Sequence, residues 1–318
     1  MRRGTLATLA AAGLGLAVAW PVRDIPYQSL AERLDQEVGG ERRTYHWNSW
    51  DIAYRQTGSG MPVVLVHGIN AAASNWEMRR NFGPLGADFQ VYAPDLLGFG
   101  LSDRPALRYA AQTYVDLLAN FLREVVGGPA HVVASSLSAA HAVQVAHDHA
   151  DLVRSLVLIC PTGIERLNGP PGTGQRAADA LLGTPILGAR LFSWLVSRPS
   201  VRYFLKGMIY DDSSVVTPRM VETQHMLGRR PGARWAPQAF IGGRFNLAIA
   251  DAYAELRQPV MLVWGKHAKT TPLADAPAFL ERNPGAILRV LDGAGLVPHD
   301  EQADAFNAAA RAWIKEHA

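Results

Sequence analysis

Residues 130–140 read AHVVASSLSAA, an apolar run that meets two serines and continues into a helix-forming sequence. Apolar runs without alternation are typical of strands that are buried on both faces in a parallel sheet. Small residues on both sides of the serines leave room for the chain to turn sharply. The stretch therefore predicts a buried strand, a tight turn and a helix.

The residues around the turn distinguish its two serines. In a strand-turn-helix that presents a nucleophile, the residues two before and two after the serine have to be small. For Ser136 these residues are Ala134 and Ser138, whereas for Ser135 the second would be the bulky Leu137. The register selects Ser136 as the candidate nucleophile, and the alternative is that the serine only caps the helix.

Further apolar runs and helical stretches alternate on both sides of this turn. This alternation predicts an α/β fold with a doubly wound, mostly parallel sheet, in which ligands bind at the carboxyl ends of the strands. About ninety residues with helical periodicity, 164–255, interrupt the pattern and are too many for a loop. We predict a core of residues 44–163 and 256–318 with an inserted helical cap at 164–255. The runs that predict strands are PVVLVHG (62–68), FQVYAPD (89–95), SLVLICPTG (155–163), PVMLVWGK (259–266) and AILRVLDG (286–293).

The N-terminal residues resemble a targeting segment. Arg2 and Arg3 precede an uncharged stretch, 4–22, and AVA at 17–19 fits the small-residue rule for signal cleavage. The same stretch is long enough to remain as a membrane anchor. We predict export to the cell envelope or anchoring in the membrane through residues 4–22, with 23–43 as a linker or short helix. An ordinary apolar first helix is the alternative.

Composition narrows the class of protein. The 318 residues are 48% hydrophobic and carry a formal charge of +3, which falls to +1 without Arg2 and Arg3. No stripe of basic and aromatic residues indicates nucleic-acid binding. One cysteine, Cys160, cannot form a disulfide or a cysteine cluster for zinc. We therefore expect no metal, cofactor or nucleic-acid partner, and a small apolar molecule as the ligand.

Three motifs resemble the α/β-hydrolase superfamily, in its helical-cap, esterase- and lipase-like branch. They are VVLVHGIN (63–70), YAPDLLGFGLSDRP (92–105) and ASSLSAA (134–140). The resemblance implies an oxyanion hole formed by the backbone N–H groups of Ile69 and Leu137, which would stabilise a tetrahedral oxyanion. It also implies that His67 orders the loop that carries Ile69, here called the oxyanion loop, rather than serving as a base.

Two positions depart from the family pattern. In WGKHAKTTP (264–272) the position of the catalytic acid holds Ala268, and in GAGLVPHDE (293–301) the position of the base holds Leu296. A serine needs a neighbouring base to accept its proton. The candidate substitutes are His299, which follows Leu296, His267 beside the vacant acid position, and, for a Ser-Lys arrangement, the lysines Lys266 and Lys269.

Two functions remain open from the residues. The first is a serine hydrolase of an apolar ester or amide, with Ser136 as nucleophile and a non-standard base. The second is a noncatalytic protein that keeps the pocket for a hydrophobic ligand or partner. By the same resemblance, cofactor-free lyase or oxygenase chemistry would need the missing histidine as well.

Overall fold

The computed structural model describes residues 27–318, and their central feature is one eight-stranded sheet. Most apolar runs of the sequence form its interior strands, which are buried, as expected for strands that are covered on both faces. The strands are β1 Glu41–Trp47, β2 Trp50–Thr57, β3 Pro62–Val66, β4 Gln90–Pro94, β5 Ala130–Ser135, β6 Val153–Ile159, β7 Val260–Gly265 and β8 Ile287–Leu291.

The strands are ordered β1-β2-β4-β3-β5-β6-β7-β8. β1 and β2 are antiparallel to each other, and β2 is antiparallel to β4. All other neighbours are parallel, so the carboxyl ends of β3, β5, β6, β7 and β8 lie at one edge of the sheet. This arrangement confirms the predicted fold class and places the functional loops at that edge.

Helices that follow the strands cover the sheet. A single turn of 3₁₀ helix, Asn75–Met78, precedes α2, and a π-helical turn, Leu122–Val126, extends α3. The flanking helices are α1 Tyr27–Val38, α2 Arg79–Gly86, α3 Ala111–Phe121, α4 Leu137–Asp148, α11 Ala276–Arg282, α12 Pro298–Glu301 and α13 Ala303–Glu316.

Between β6 and β7 the chain forms the helices of the predicted cap region. A π-helical turn, Leu205–Ile209, extends α7 and turns its last apolar side chains toward the sheet edge. The helices are α5 Thr173–Gly183, α6 Leu187–Leu195, α7 Arg198–Phe204, α8 Pro218–Gly228, α9 Trp235–Ile241 and α10 Ala250–Ala254.

The structure decides between the alternatives for one segment and corrects the description of another. The segment predicted as linker or short helix contains α1, whose residues Leu30 and Leu34 are fully buried against the core. β8 is not the buried strand that its apolar run predicted, because it is an edge strand. Its neighbour is β7 alone, and Ile287 and Val290 are exposed by 36% and 40%.

Within residues 27–318 no helix has the length and apolar character that crossing a membrane requires. The predicted signal peptide or anchor, residues 1–22, lies outside the described residues.

Candidate active site

Ser136 lies at the turn between β5 and α4, at the carboxyl edge of the sheet. Its backbone has φ 55° and ψ −122°, a conformation that residues with a side chain rarely adopt. The Ser136 N–H donates to the carbonyl of Ile159 at 2.8 Å, and the hydroxyl of Ser138 donates to the carbonyl of His67 at 2.7 Å. These bonds join the turn to the neighbouring loops, so the strained conformation is held from both sides.

The two predicted oxyanion donors lie on either side of this turn. Ile69 follows β3 and lines a cavity at Ser136, while Leu137 is the first residue of α4. Within residues 27–318 neither N–H group makes a hydrogen bond, which for Leu137 is usual at the first turn of a helix. Ile69 lines the cavity, whereas the Leu137 side chain is fully buried.

His67 has both ring nitrogens engaged inside the protein. Its Nε2 accepts from the N–H of Leu96 at 3.1 Å, and its Nδ1 lies 2.7 Å from the carbonyl of Gly68. The side chain is fully buried. His67 thus ties the oxyanion loop to the loop after β4 and has no free nitrogen for a proton from Ser136.

A cavity of about 400 Å³ opens at Ser136. One wall is the oxyanion loop and the turn after β5, and the opposite wall comes from the cap and from the loops after β7 and β8. Its volume is within the range of about 300–1,000 Å³ that small-molecule sites have. Its apolar lining includes Leu167, Phe204, Leu205, Ile209, Phe240 and Leu296.

The two positions that depart from the family pattern differ in their relation to the cavity. Leu296 lines the cavity, and its backbone N–H donates to the carbonyl of Ile209 at 2.8 Å. Ala268 is buried in the loop after β7, where its N–H donates to the carbonyl of Gly265 at 3.1 Å. Backbone hydrogen bonds thus hold both loops, but neither side chain can carry a proton.

The proposed substitute bases are held elsewhere. His299 is fully buried, with its Nε2 3.5 Å from a carboxylate oxygen of Glu77. His267 is half exposed and pairs with Asp211 at 2.7 Å. The lysines bind the side chain of Asp292 and the carbonyl of Gly207. Among the described residues none of these four candidates forms a hydrogen bond or ion pair with Ser136. The lysine contacts are Lys266 Nζ to Asp292 at 2.9 Å and Lys269 Nζ to the Gly207 oxygen at 2.9 Å.

Sequence reasoning missed Glu77, which lines the cavity from the 3₁₀ turn before α2. Its two carboxylate oxygens accept the N–H of Gly68 at 3.1 and 3.2 Å. Burial raises the pKa of Glu77, but the contact with His299, the nearby His67 and the hydroxyl of Ser135 outweigh it and hold the pKa below its usual value. No motif indicates this residue, because its partners come from three distant segments of the chain.

A second polar group lies beside it in the cavity wall. Arg79 donates to the carboxylate of Asp300 at 2.7 Å, and the hydroxyl of Tyr210 donates to the same oxygen. The guanidinium also stacks on the ring of Trp76, 3.7 Å from its centroid. Burial and the adjacent carboxylate raise the pKa of Tyr210 well above its usual value, so the phenol stays protonated. This group joins the cap to the core and neutralises Arg79.

The chain was compared with known proteins. The model of the alpha/beta hydrolase family matches residues 63–309. An uncharacterized protein of Mycobacterium tuberculosis is 27% identical over 299 residues, which cover 89% of this chain and 80% of that protein. The 2-(acetamidomethylene)succinate hydrolase of Mesorhizobium japonicum is 29% identical over 245 residues, covering 76% of this chain and 83% of the enzyme.

A solved structure shows the same architecture. The meta-cleavage product hydrolase from Pseudomonas fluorescens IP01 superposes with a TM-score of 0.72 at 22% identity, over 89% of this chain and 100% of the enzyme. At that identity the likeness concerns the fold alone.

Proposed function

We propose that this chain, which belongs to the α/β-hydrolase family, binds a small apolar molecule in the cavity at Ser136 and does not carry out the triad chemistry of its relatives. The single observation that carries the proposal is Leu296. An apolar side chain lines the cavity at the position where the family pattern places the base.

Serine is a weak nucleophile unless a neighbouring group accepts its proton. With triad members missing, an oxyanion hole and substrate binding alone accelerate hydrolysis over water by only about a thousandfold to ten-thousandfold. The cavity itself is retained, with an apolar wall built from the cap and from the loop after β8. Retained binding space without a proton acceptor favours a binding protein.

A hydrolase with a displaced base is the second candidate, and the position of Glu77 favours it. The hydroxyl of Ser135 contacts the Glu77 carboxylate, and His299 lies 3.5 Å from that carboxylate. A carboxylate and an imidazole therefore lie next to the turn between β5 and α4, although on the side of Ser135 rather than of Ser136. In that case the substrate would be an apolar ester or amide.

The experiment compares wild-type protein with Ser136→Ala, using a fluorophosphonate probe and p-nitrophenyl acyl esters. The binding proposal expects neither labelling nor turnover above that of Ser136→Ala, and it expects an apolar molecule to be recovered by solvent extraction and mass spectrometry. Labelling and turnover that Ser136→Ala abolishes would instead support the hydrolase. His299→Ala and His267→Ala would then identify the recruited imidazole.

We also propose export or membrane anchoring through residues 4–22, which rests on the sequence alone. Expression of the full chain and of a variant without residues 1–22, followed by membrane fractionation and N-terminal sequencing of the product, tests it. Full-length protein that keeps its N-terminal residues and still fractionates like the shortened variant would contradict the proposal.

A further inference from the structure

We propose that the cavity selects an amphiphile with a cationic, hydrogen-bond-donating head, such as a long-chain amine, and disfavours the corresponding carboxylate, with Glu77 as the recognition residue. This inference rests on the proposed binding function and specifies its ligand class.

The arginines of the cavity wall are paired with carboxylates of the protein. Among the described residues, the cations that line the cavity are Arg79 and Arg166. Arg79 is held by Asp300 at 2.7 Å, and Arg166 is held by Asp275 at 2.5 Å. Each of these cations is thus already paired with a carboxylate of the protein, whereas Glu77 has no arginine or lysine partner among residues 27–318.

Glu77 contributes a largely buried carboxylate to the cavity wall. Its side chain is only 14% exposed, and its lowered pKa keeps it ionised at neutral pH. Within residues 27–318 no arginine or lysine pairs with it, and its nearest basic group is His299, whose Nε2 lies 3.5 Å from one carboxylate oxygen. A carboxylate offers about four acceptor sites. Gly68 and Ser135 satisfy only part of them, so Glu77 can accept further hydrogen bonds from a ligand in the cavity.

Asp300 provides a second, independent observation. It lines the same cavity, is only 3% exposed, and one of its carboxylate oxygens has no hydrogen-bond partner within the described part of the chain. Buried acceptors without partners are costly, and a ligand that donates hydrogen bonds would relieve that cost. Both groups call for donors and oppose an additional negative charge.

The apolar lining of the cavity would bind the alkyl tail of the ligand. The apolar side chains of the cap and Leu296 lie in the same cavity as Glu77. An alkyl chain against them gains from burial of apolar surface, independently of the head group. The tail therefore supplies affinity, and Glu77 supplies the selection between heads.

The test uses three ligands of equal chain length, dodecylamine, dodecanol and dodecanoic acid, each displacing the neutral dye Nile red from the full chain. We expect the amine to bind at least about tenfold more tightly than the acid, because the ammonium forms charge-assisted hydrogen bonds with the Glu77 carboxylate whereas a second carboxylate is repelled by it. Glu77→Gln should reduce this ratio about tenfold. Glu222→Gln is the matched control, since this glutamate pairs with Arg198 on the cap and does not line the cavity.

The outcomes separate the two proposals. If dodecanol binds but the amine and the acid bind equally, or if Glu77→Gln leaves their ratio unchanged, the head-group inference is overturned and the binding function stands. If none of the three displaces the dye, both are overturned. If Glu77→Gln does not fold, as judged by circular dichroism, the amine-to-acid ratio of the wild-type protein decides.

Discussion

The two walls of the cavity at Ser136 differ in what each retains. The wall formed by the turn after β5 and the loop after β3 holds Ser136 in a strained conformation, and within residues 27–318 the N–H groups of Ile69 and Leu137 make no hydrogen bond. On the other side, Leu296 lines the cavity and Ala268 is buried in the loop after β7, and backbone hydrogen bonds hold both loops.

This difference shows that geometry and chemistry depend on different parts of the chain. The turn at Ser136 is maintained by many small contacts, including those of Ser138 and the strand beside it. The acid and the base each depend on one side chain, so two substitutions remove them without disturbing the fold. A family member can therefore keep its binding space and lose its usual proton acceptor.

The largest expected effect comes from restoring the acid and the base at their aligned positions. In the double variant Ala268→Asp, Leu296→His, an imidazole would face Ser136 with a carboxylate behind it. We expect p-nitrophenyl ester hydrolysis to rise about a hundredfold to ten-thousandfold, the usual contribution of a general base. The same double variant with Ser136→Ala should stay at the background rate. A folded double variant with no gain in hydrolysis would mean that the introduced imidazole and carboxylate do not reach Ser136.

The next prediction concerns the pH dependence of stability, which should depend on His141 in α4, the helix that follows Ser136. Burial lowers the pKa of His141, on α4, to about 4, whereas the unfolded value is near 6.5. Its contribution to stability is therefore present above pH 6.5 and is lost as the pH falls from 6.5 toward 4, because the unfolded chain binds the proton first. We expect His141→Phe to lose less unfolding free energy than wild type in this window, by up to about 3 kcal/mol.

Urea unfolding at pH 7 and at pH 4.5 measures this difference. His131, on β5, has its pKa lowered to about 4 by burial and contributes in the same window, so some pH dependence should remain in the variant. Equal losses in wild type and His141→Phe would contradict the assignment.

The packing of the second wall predicts a smaller effect. A Cβ on Gly265, at the end of β7, would lie 1.9 Å from the carbonyl oxygen of Gly295, in the loop that carries Leu296. We expect Gly265→Ala to lower the unfolding free energy by roughly 1–3 kcal/mol, because backbone atoms cannot move aside easily. Gly285→Ala, whose Cβ would meet only Asn283 at 3.4 Å, is the control in chemical denaturation. Similar values for both variants would show that the loops are loosely packed.

The smallest effect concerns the strained turn. Ser136→Gly should raise the unfolding free energy by about 1 kcal/mol, since glycine adopts positive φ without steric cost but loses more entropy on folding. Ser136→Ala keeps the same φ of 55° and should not gain stability. Equal stability of the two variants in thermal unfolding would indicate that the turn stores no strain.

Much of the fold follows from local sequence pattern. Uninterrupted apolar runs predicted the interior strands, including β3 and β5, because a strand covered on both faces needs apolar side chains throughout. The pattern was wrong about the burial of β8, since a run of apolar residues does not indicate whether a strand has one neighbour or two. It also left α1 undecided, because its polar face hides the few residues that pack on the core.

The sequence by itself determined the fold class and the turn at Ser136, because both depend on residue size and hydrophobicity over short stretches of chain. It also determined that Ala268 and Leu296 carry no proton. The tertiary structure alone decided that Glu77 and Asp300 line one cavity with His299 buried beside Glu77, since the contacts of these residues join segments more than two hundred residues apart. Electrostatic interactions act through space between groups that the fold brings together, and no local pattern records them.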